Sequence, residues 1–166
     1  MYDNNGIVVK KEYGEIRLWL NGQLMGRMDA DTGLPLSEYM LDVIQKAPSR
    51  SADTALVIGG GAYLIPSYYA RMGAIVDVVE PLPEMDGVAI QYFRMIPKGP
   101  RRINRIHRDI SLVPKDKKYD LISLDAYDGP LPVESLYSKE SLDDLKSRCK
   151  KLLVNDIRRI PTVYEH

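Results

Sequence analysis

The sequence predicts an α/β fold: a mostly parallel β-sheet flanked by helices, preceded by a small N-terminal β-meander. Three observations predict it. Four short runs rich in Val, Ile and Leu, at residues 55–58, 75–79, 103–106 and 121–124, read as strands buried on both faces. Helical stretches separate the earlier runs, giving a βαβαβ series. Ahead of them, residues 7–28 alternate apolar and polar with turn signals between, the pattern of short antiparallel strands.

Within the meander, Ile7-Val8-Val9 forms a first strand and Tyr13-Gly14 a first turn. Ile16, Leu18 and Leu20 share one face of the second strand, with Arg17 and Trp19 on the other. Asn21-Gly22 is a type I′ hairpin signal, and Gln23-Leu24-Met25 makes the third strand. After the turn-rich stretch from Asp29 to Pro35, Leu36, Tyr39, Met40, Val43 and Ile44 recur at helical spacing until Pro48, with Ser37 as a candidate N-cap. Further helices follow Gly61 and span about Pro83 to Phe93. Leu142, Leu145, Cys149, Leu152 and Leu153 make one apolar stripe, with Asp143 and Asp144 early and Lys150 and Lys151 late, so a last helix is expected to reach about Val154. Because the chain stops soon after that helix, the C-terminal part of the sheet is expected to be shortened or finished otherwise. An exposed sheet edge would then suit a second copy of the chain, and a homodimer is expected.

The 166 residues suit one main domain, and Lys+Arg and Asp+Glu both number 23, so there is no excess positive charge for nucleic acid or an anionic membrane. No apolar run is long enough to span a bilayer, and Met1 to Asn5 lacks signal-peptide character. A cytoplasmic protein is expected. One cysteine, Cys149, and two histidines, His107 and His166, rule out a structural zinc site of several Cys and His ligands, and no metal is expected.

Gly59-Gly60-Gly61 follows a strand directly and precedes a helix, where glycines let a ligand approach the backbone at a helix N-terminus; a plain tight turn is the alternative. Glu80 ends the second strand about 20 residues later, placed to accept both hydroxyls of a ribose seated over the glycines. Asp109 ends the third strand and suits either an adenine amino group or a helix N-cap. Asp125 and Asp128, in Asp125-Ala126-Tyr127-Asp128-Gly129-Pro130, lie at the carboxyl edge of the sheet, where they could bind an amine cation and accept its proton; Asp128 also suits a turn. Tyr63 is either a packing residue or a ligand contact. The run Arg101 to Arg108 alternates basic and apolar residues as a strand with a solvated side does, and Cys149 reads as core. Residues 1–30 thus form the meander and 31–166 a nucleoside-binding domain.

Gly59-Gly60-Gly61, Val78-Val79-Glu80, Arg108-Asp109 and Tyr119-Asp120-Leu121-Ile122 through Asp125 together resemble the spermidine synthase family of polyamine aminopropyltransferases. The resemblance runs from about residue 7 to 157. It implies a Rossmann-like fold shared with class I S-adenosylmethionine methyltransferases, and an S-adenosylmethionine or decarboxylated S-adenosylmethionine co-substrate over Gly59, Gly60, Gly61 and Tyr63. Glu80 would hold its ribose and Asp109 would lie near the adenine. Asp125 would be the base that deprotonates a small attacking amine, and Asp128 would help to bind that amine. The chain departs from the family's Gly-Gly-Gly-Asp-Gly run by carrying Ala62 at the acidic position. Aminopropyl transfer is therefore weighed against methyl transfer on the same fold and against a noncatalytic nucleoside-binding or oligomerisation module.

Overall fold

The structure, a computed structural model, describes residues 1–46, 54–95, 103–106, 109–128, 131–155 and 162–165. Pro48, Arg101, His107, Arg108, Gly129, Pro130 and His166, named above, lie outside the described residues.

The N-terminal sheet has four antiparallel strands in sequence order: β1 (Tyr2–Asn4), β2 (Ile7–Glu12), β3 (Glu15–Leu20) and β4 (Gln23–Asp29). The predicted three-stranded meander gains β1, because Asn5-Gly6 forms a hairpin turn of the same kind as Tyr13-Gly14 and Asn21-Gly22. All six turn residues have positive φ, as a type I′ turn requires. Between β3 and β4 the register shifts so that Leu18 faces Gly26 while Trp19 faces Leu24, which leaves Met25 as a bulge.

The chain continues through α1 (Glu38–Lys46), β5 (Thr54–Ile58), α2 (Leu64–Arg71), β6 (Ile75–Val79), α3 (Glu84–Tyr92) and β7 (Ile103–Ile106). It then returns across the sheet to β8 (Tyr119–Leu124), followed by a short hairpin of β9 (Tyr127–Asp128) and β10 (Leu131–Pro132), α4 (Lys139–Ser147), β11 (Cys149–Val154) and β12 (Thr162–Glu165). The main sheet has the order β12-β11-β8-β5-β6-β7, parallel except for β12, so the α/β class with a mostly parallel sheet is as the sequence predicts.

One expectation fails. The last helix stops at Ser147, and Cys149 to Val154 is a fifth parallel strand paired with β8, not the end of a helix. Leu152, Leu153 and Val154 are buried there on alternating faces of the sheet. The parallel strands carry both cores in this way. Ala55 and Val57 of β5 face one cluster, with Leu64 of α2 and Val88 of α3, while Leu56 and Ile58 face the other, with Leu145 of α4. The first cluster also takes in Ile7, Val9, Leu18 and Met28, so the N-terminal sheet packs on the same core as α1 to α3.

Candidate active site

The chain runs from β5 outward to β6 and β7, then crosses back to β8 on the other side of β5. The carboxyl ends of β5 and β8 therefore flank a topological switch point, the crevice where open α/β sheets bind ligands. Ile58, Val79 and Leu124 are in register across β5, β6 and β8, and Val154 of β11 is in register with Leu124. The next residue of each strand continues the ladder. Gly59 N–H donates to Val79 O (2.9 Å), Glu80 N–H to Ile106 O (3.1 Å), Asp125 N–H to Ile58 O (2.8 Å) and Asn155 N–H to Leu124 O (2.9 Å). Four residues from four strands thus stand in one row.

This row forms the floor of a cavity of about 700 Å³, large enough for a drug-sized ligand. Met25, Gly26 and Leu24 of the N-terminal sheet and Met40 of α1 form part of its wall, and Ile110, Leu136 and Ser141 another. Glu80, Asp109 and Asp125 are its charged lining residues; among the described residues no Lys, Arg or His lines it.

The glycine turn is built for close approach. Gly59, at φ +95°, leaves room for no β-carbon, because one would overlap the Asp125 carbonyl. A β-carbon on Gly60 would press at 3.0 Å on both the Tyr63 ring and Val78, whereas the space beside Gly61, at φ +49°, is open. The N–H groups of Gly60 and Gly61 both donate to Glu80 Oε2 (3.0 and 2.9 Å), and Leu82 N–H donates to Oε1 (2.9 Å). Glu80 is 5% exposed, and burial pushes its carboxyl above the usual glutamate value against the pull of these three donors. Among the described residues Oε1 accepts only from Leu82 N–H, which leaves it a lone pair for a ligand hydroxyl.

β7 ends at Ile106, so Asp109 stands past the strand rather than ending it; it lines the cavity and caps a short 3-10 turn, its Oδ1 accepting from Ser111 N–H at 2.8 Å, which is the N-cap alternative. Asp125 is half-buried in the cavity floor, with Oδ1 accepting from Asn155 Nδ2 at 2.8 Å. Asp128 stands apart: it is exposed on β9, pairs with Leu131 and does not line the cavity. Tyr63 is also outside it. Its ring is fully buried beneath Gly60, and its hydroxyl donates to Asp86 Oδ1 at 2.7 Å, while Arg105 holds the other oxygen of Asp86 at 2.9 Å. Burial, with Asp86 adding to it, pushes the Tyr63 hydroxyl pKa up.

Sequence reasoning missed Asn155 and the N-terminal wall. Asn155 was hidden because its strand read as helix. Met25 and Gly26 carried a weaker signal, an in-strand glycine, which often marks a bulge or a close approach. Gly26 is such a case, since a β-carbon there would come within 3.2 Å of the Ala62 β-carbon. Among the described residues no group of three His, Cys, Asp or Glu could hold a metal ion, and no helix is long and apolar enough to cross a membrane.

The mostly parallel sheet flanked by helices, with its switch point between β5 and β8, is an α/β Rossmann-like fold of the methyltransferase type. No family model matches the chain, and no curated protein sequence does. Among solved structures it is similar to a probable spermidine synthase from Corynebacterium glutamicum, with a TM-score of 0.71 and 18% identity over 89% of this chain and 59% of that one. It is also similar to precorrin 8w decarboxylase from Methanobacterium thermoautotrophicum (TM-score 0.55, 16% identity, 70% of this chain and 61% of that one). A further match is an S-adenosylmethionine-dependent methyltransferase from Thiobacillus denitrificans in complex with S-adenosyl-L-homocysteine (TM-score 0.54, 12% identity, 74% and 49%). The chain spans less than two thirds of the length of each.

Proposed function

We propose that this chain is a transferase acting on an adenosyl sulfonium co-substrate, and that it moves an aminopropyl group to a small amine. The observation that carries this reading is the charge of the cavity. Three carboxylates and no described cation line it, which suits a sulfonium, a donor ammonium and an amine acceptor. A donor that keeps its α-carboxylate would bring a negative charge among Glu80, Asp109 and Asp125, so the charge balance favours the decarboxylated form.

The residues present fit such a nucleoside. The open side of Gly61 would let it approach the turn, Oε1 of Glu80 would accept a ribose hydroxyl, and Asp109, which lines the cavity, would lie near the adenine. Fold-level likeness supports the same choice, since the probable spermidine synthase overlaps 89% of this chain.

In the reaction, the amine nitrogen attacks the carbon next to sulfur and a C–N bond forms. The C–S bond breaks, its electron pair going to sulfur, and methylthioadenosine leaves as a neutral thioether. Asp125 accepts the proton that the new ammonium gives up. The sulfonium makes that carbon electrophilic when bound, so the chain's own work is to orient the two partners and take the proton.

Methyl transfer from S-adenosylmethionine is the second reading, favoured by Ala62, which offers no carboxylate to an aminopropyl ammonium. Calorimetric titration with S-adenosylmethionine, its decarboxylated form and methylthioadenosine separates them, followed by product analysis with a diamine. Tighter binding of the decarboxylated donor and release of methylthioadenosine are expected. Preference for S-adenosylmethionine with release of S-adenosylhomocysteine would transfer the assignment to methylation, and binding of none of the three would overturn both.

A further inference from the structure

Asn155 completes the row at the end of the sheet and is unlike its neighbours in being neutral and polar. It is buried, lines the cavity, and is held at both ends of its own peptide. Its N–H donates to Leu124 O at 2.9 Å, and its carbonyl accepts from the Tyr127 hydroxyl at 2.8 Å. Tyr127 in turn packs at 6.0 Å between ring centroids on Tyr137, whose hydroxyl accepts from Ala126 N–H at 3.2 Å. Asp125 is fixed from the other side by its N–H bond to Ile58 O and by the close approach of Gly59. Two short side chains, each rooted in an immobilised backbone, meet at the 2.8 Å contact from Asn155 Nδ2 to Asp125 Oδ1.

We propose that Asn155 is the positioning residue of Asp125, fixing the rotamer of its carboxylate toward the cavity while leaving its charge intact. The proposal rests on the reading of Asp125 as the proton acceptor. An amide suits this task where a cation would not. Lysine or arginine at this place would orient Asp125 equally well, but would pair with its charge and repel a cationic amine from the cavity.

The test uses the full chain, Asn155→Ala, and Asn155→Asp, which keeps the shape of the side chain and replaces the donor by a second carboxylate. The Asp125 carboxyl is titrated by carbon-13 NMR, its resonance assigned by its loss in Asp125→Asn. The pH profile of turnover is measured in parallel. Losing the donor should move the Asp125 midpoint, and with it the acid limb of the profile, up by roughly half to one pH unit in Asn155→Ala. In Asn155→Asp the shift should be larger, with the pair titrating in two coupled steps. Turnover should fall about tenfold or more with KM for the nucleoside within about twofold, the mark of a lost orientation rather than a lost contact.

Tyr127→Phe releases the Asn155 carbonyl while keeping the Asn155 amide and the Asp125 carboxyl, and should move the same midpoint in the same direction by less. Tyr137, whose hydroxyl bonds Tyr127 and faces Asp125 electrostatically, is replaced by Phe as the control, so that a shift common to both variants is assigned to Tyr137. If the Asn155 variants do not fold, Tyr127→Phe decides the matter. An unchanged midpoint in every folded variant would overturn the proposal. The carboxyl titration needs no substrate. A wild-type chain without aminopropyl transfer therefore counts against the reaction alone, while a shifted midpoint still upholds the hold of Asn155 on Asp125.

Discussion

Gly59 and Asp125 touch backbone to backbone across the switch point of the sheet: Gly59 has room for hydrogen only, because the Asp125 carbonyl occupies the place of a β-carbon. The same contact joins the glycine turn to the strand end that carries the proposed base. Gly59→Ala is expected to destabilise the chain by about 2 kcal/mol or more, through strain at positive φ and displacement of the Asp125 peptide. Gly73→Ala supplies the reference, since Gly73 also has positive φ (+107°) but open space around it. Urea unfolding of both variants checks this; equal losses would show that the Asp125 contact contributes nothing.

Asp125 and Asp128 are three residues apart in sequence but differ in environment, one in the cavity floor and one exposed on β9. Asp125→Asn is expected to lower turnover by about 10²- to 10⁴-fold, the range for removing a general base, and Asp128→Asn by far less. Steady-state kinetics on both variants decides whether the two carboxylates act together.

Tyr63→Phe removes the hydroxyl that donates to Asp86 while leaving the ring under Gly60 and the Arg105 pair in place. The expected cost is about 1 to 2 kcal/mol in stability, with nucleoside affinity within about twofold of wild type. Thermal melting and calorimetry on one preparation test both halves, and a large loss of affinity would return Tyr63 to the ligand contacts.

Asp120 accepts from Lys150 Nζ at 2.7 Å and from the N–H and hydroxyl of Thr54 at 3.0 and 3.2 Å, and these donors hold its carboxyl below the usual aspartate value. Burial alone would raise Asp77, but Lys117, Tyr119 and Asn104 outweigh it and leave its carboxyl lowered as well. A carboxyl with a lowered pKa binds fewer protons in the folded chain than in the unfolded one. Its contribution is complete above the ordinary aspartate value and is lost as pH falls through the lowered one. Stability should therefore drop on acidification below about pH 4, and Asp77→Asn should flatten that limb more than Asp120→Asn, whose Lys150 partner is largely exposed and screened. Urea unfolding at stepped pH measures both slopes.

The sheet was legible where a strand announces itself locally. Leu56-Val57-Ile58 before three glycines, and Val78-Val79 before Glu80, are short apolar runs with a chemical residue at the end, and each stands where the sequence put it. Leu152-Leu153-Val154 is a run of the same kind. It was read as helix because Leu142, Leu145, Cys149, Leu152 and Leu153 also fit helical spacing and no Gly or Pro separates Ser147 from Cys149. The missing information was the partner, since β11 is a strand by pairing with β8, which lies more than 20 residues earlier.

What the sequence by itself determined is the set of local signals: the Asn-Gly and Tyr-Gly turns of the N-terminal sheet, the buried parallel strands, and Glu80 and Asp125 at their ends. Those follow from φ preferences and hydrophobic periodicity, which act over a few residues. Only the tertiary structure decided that Asp125 lies in the cavity while Asp128 and Tyr63 lie outside it, that Met25 and Gly26 wall it, and that Asn155 donates to Asp125. Each of these depends on the register between strands distant in the chain, and register is fixed by pairing and packing, to which no single segment holds the key.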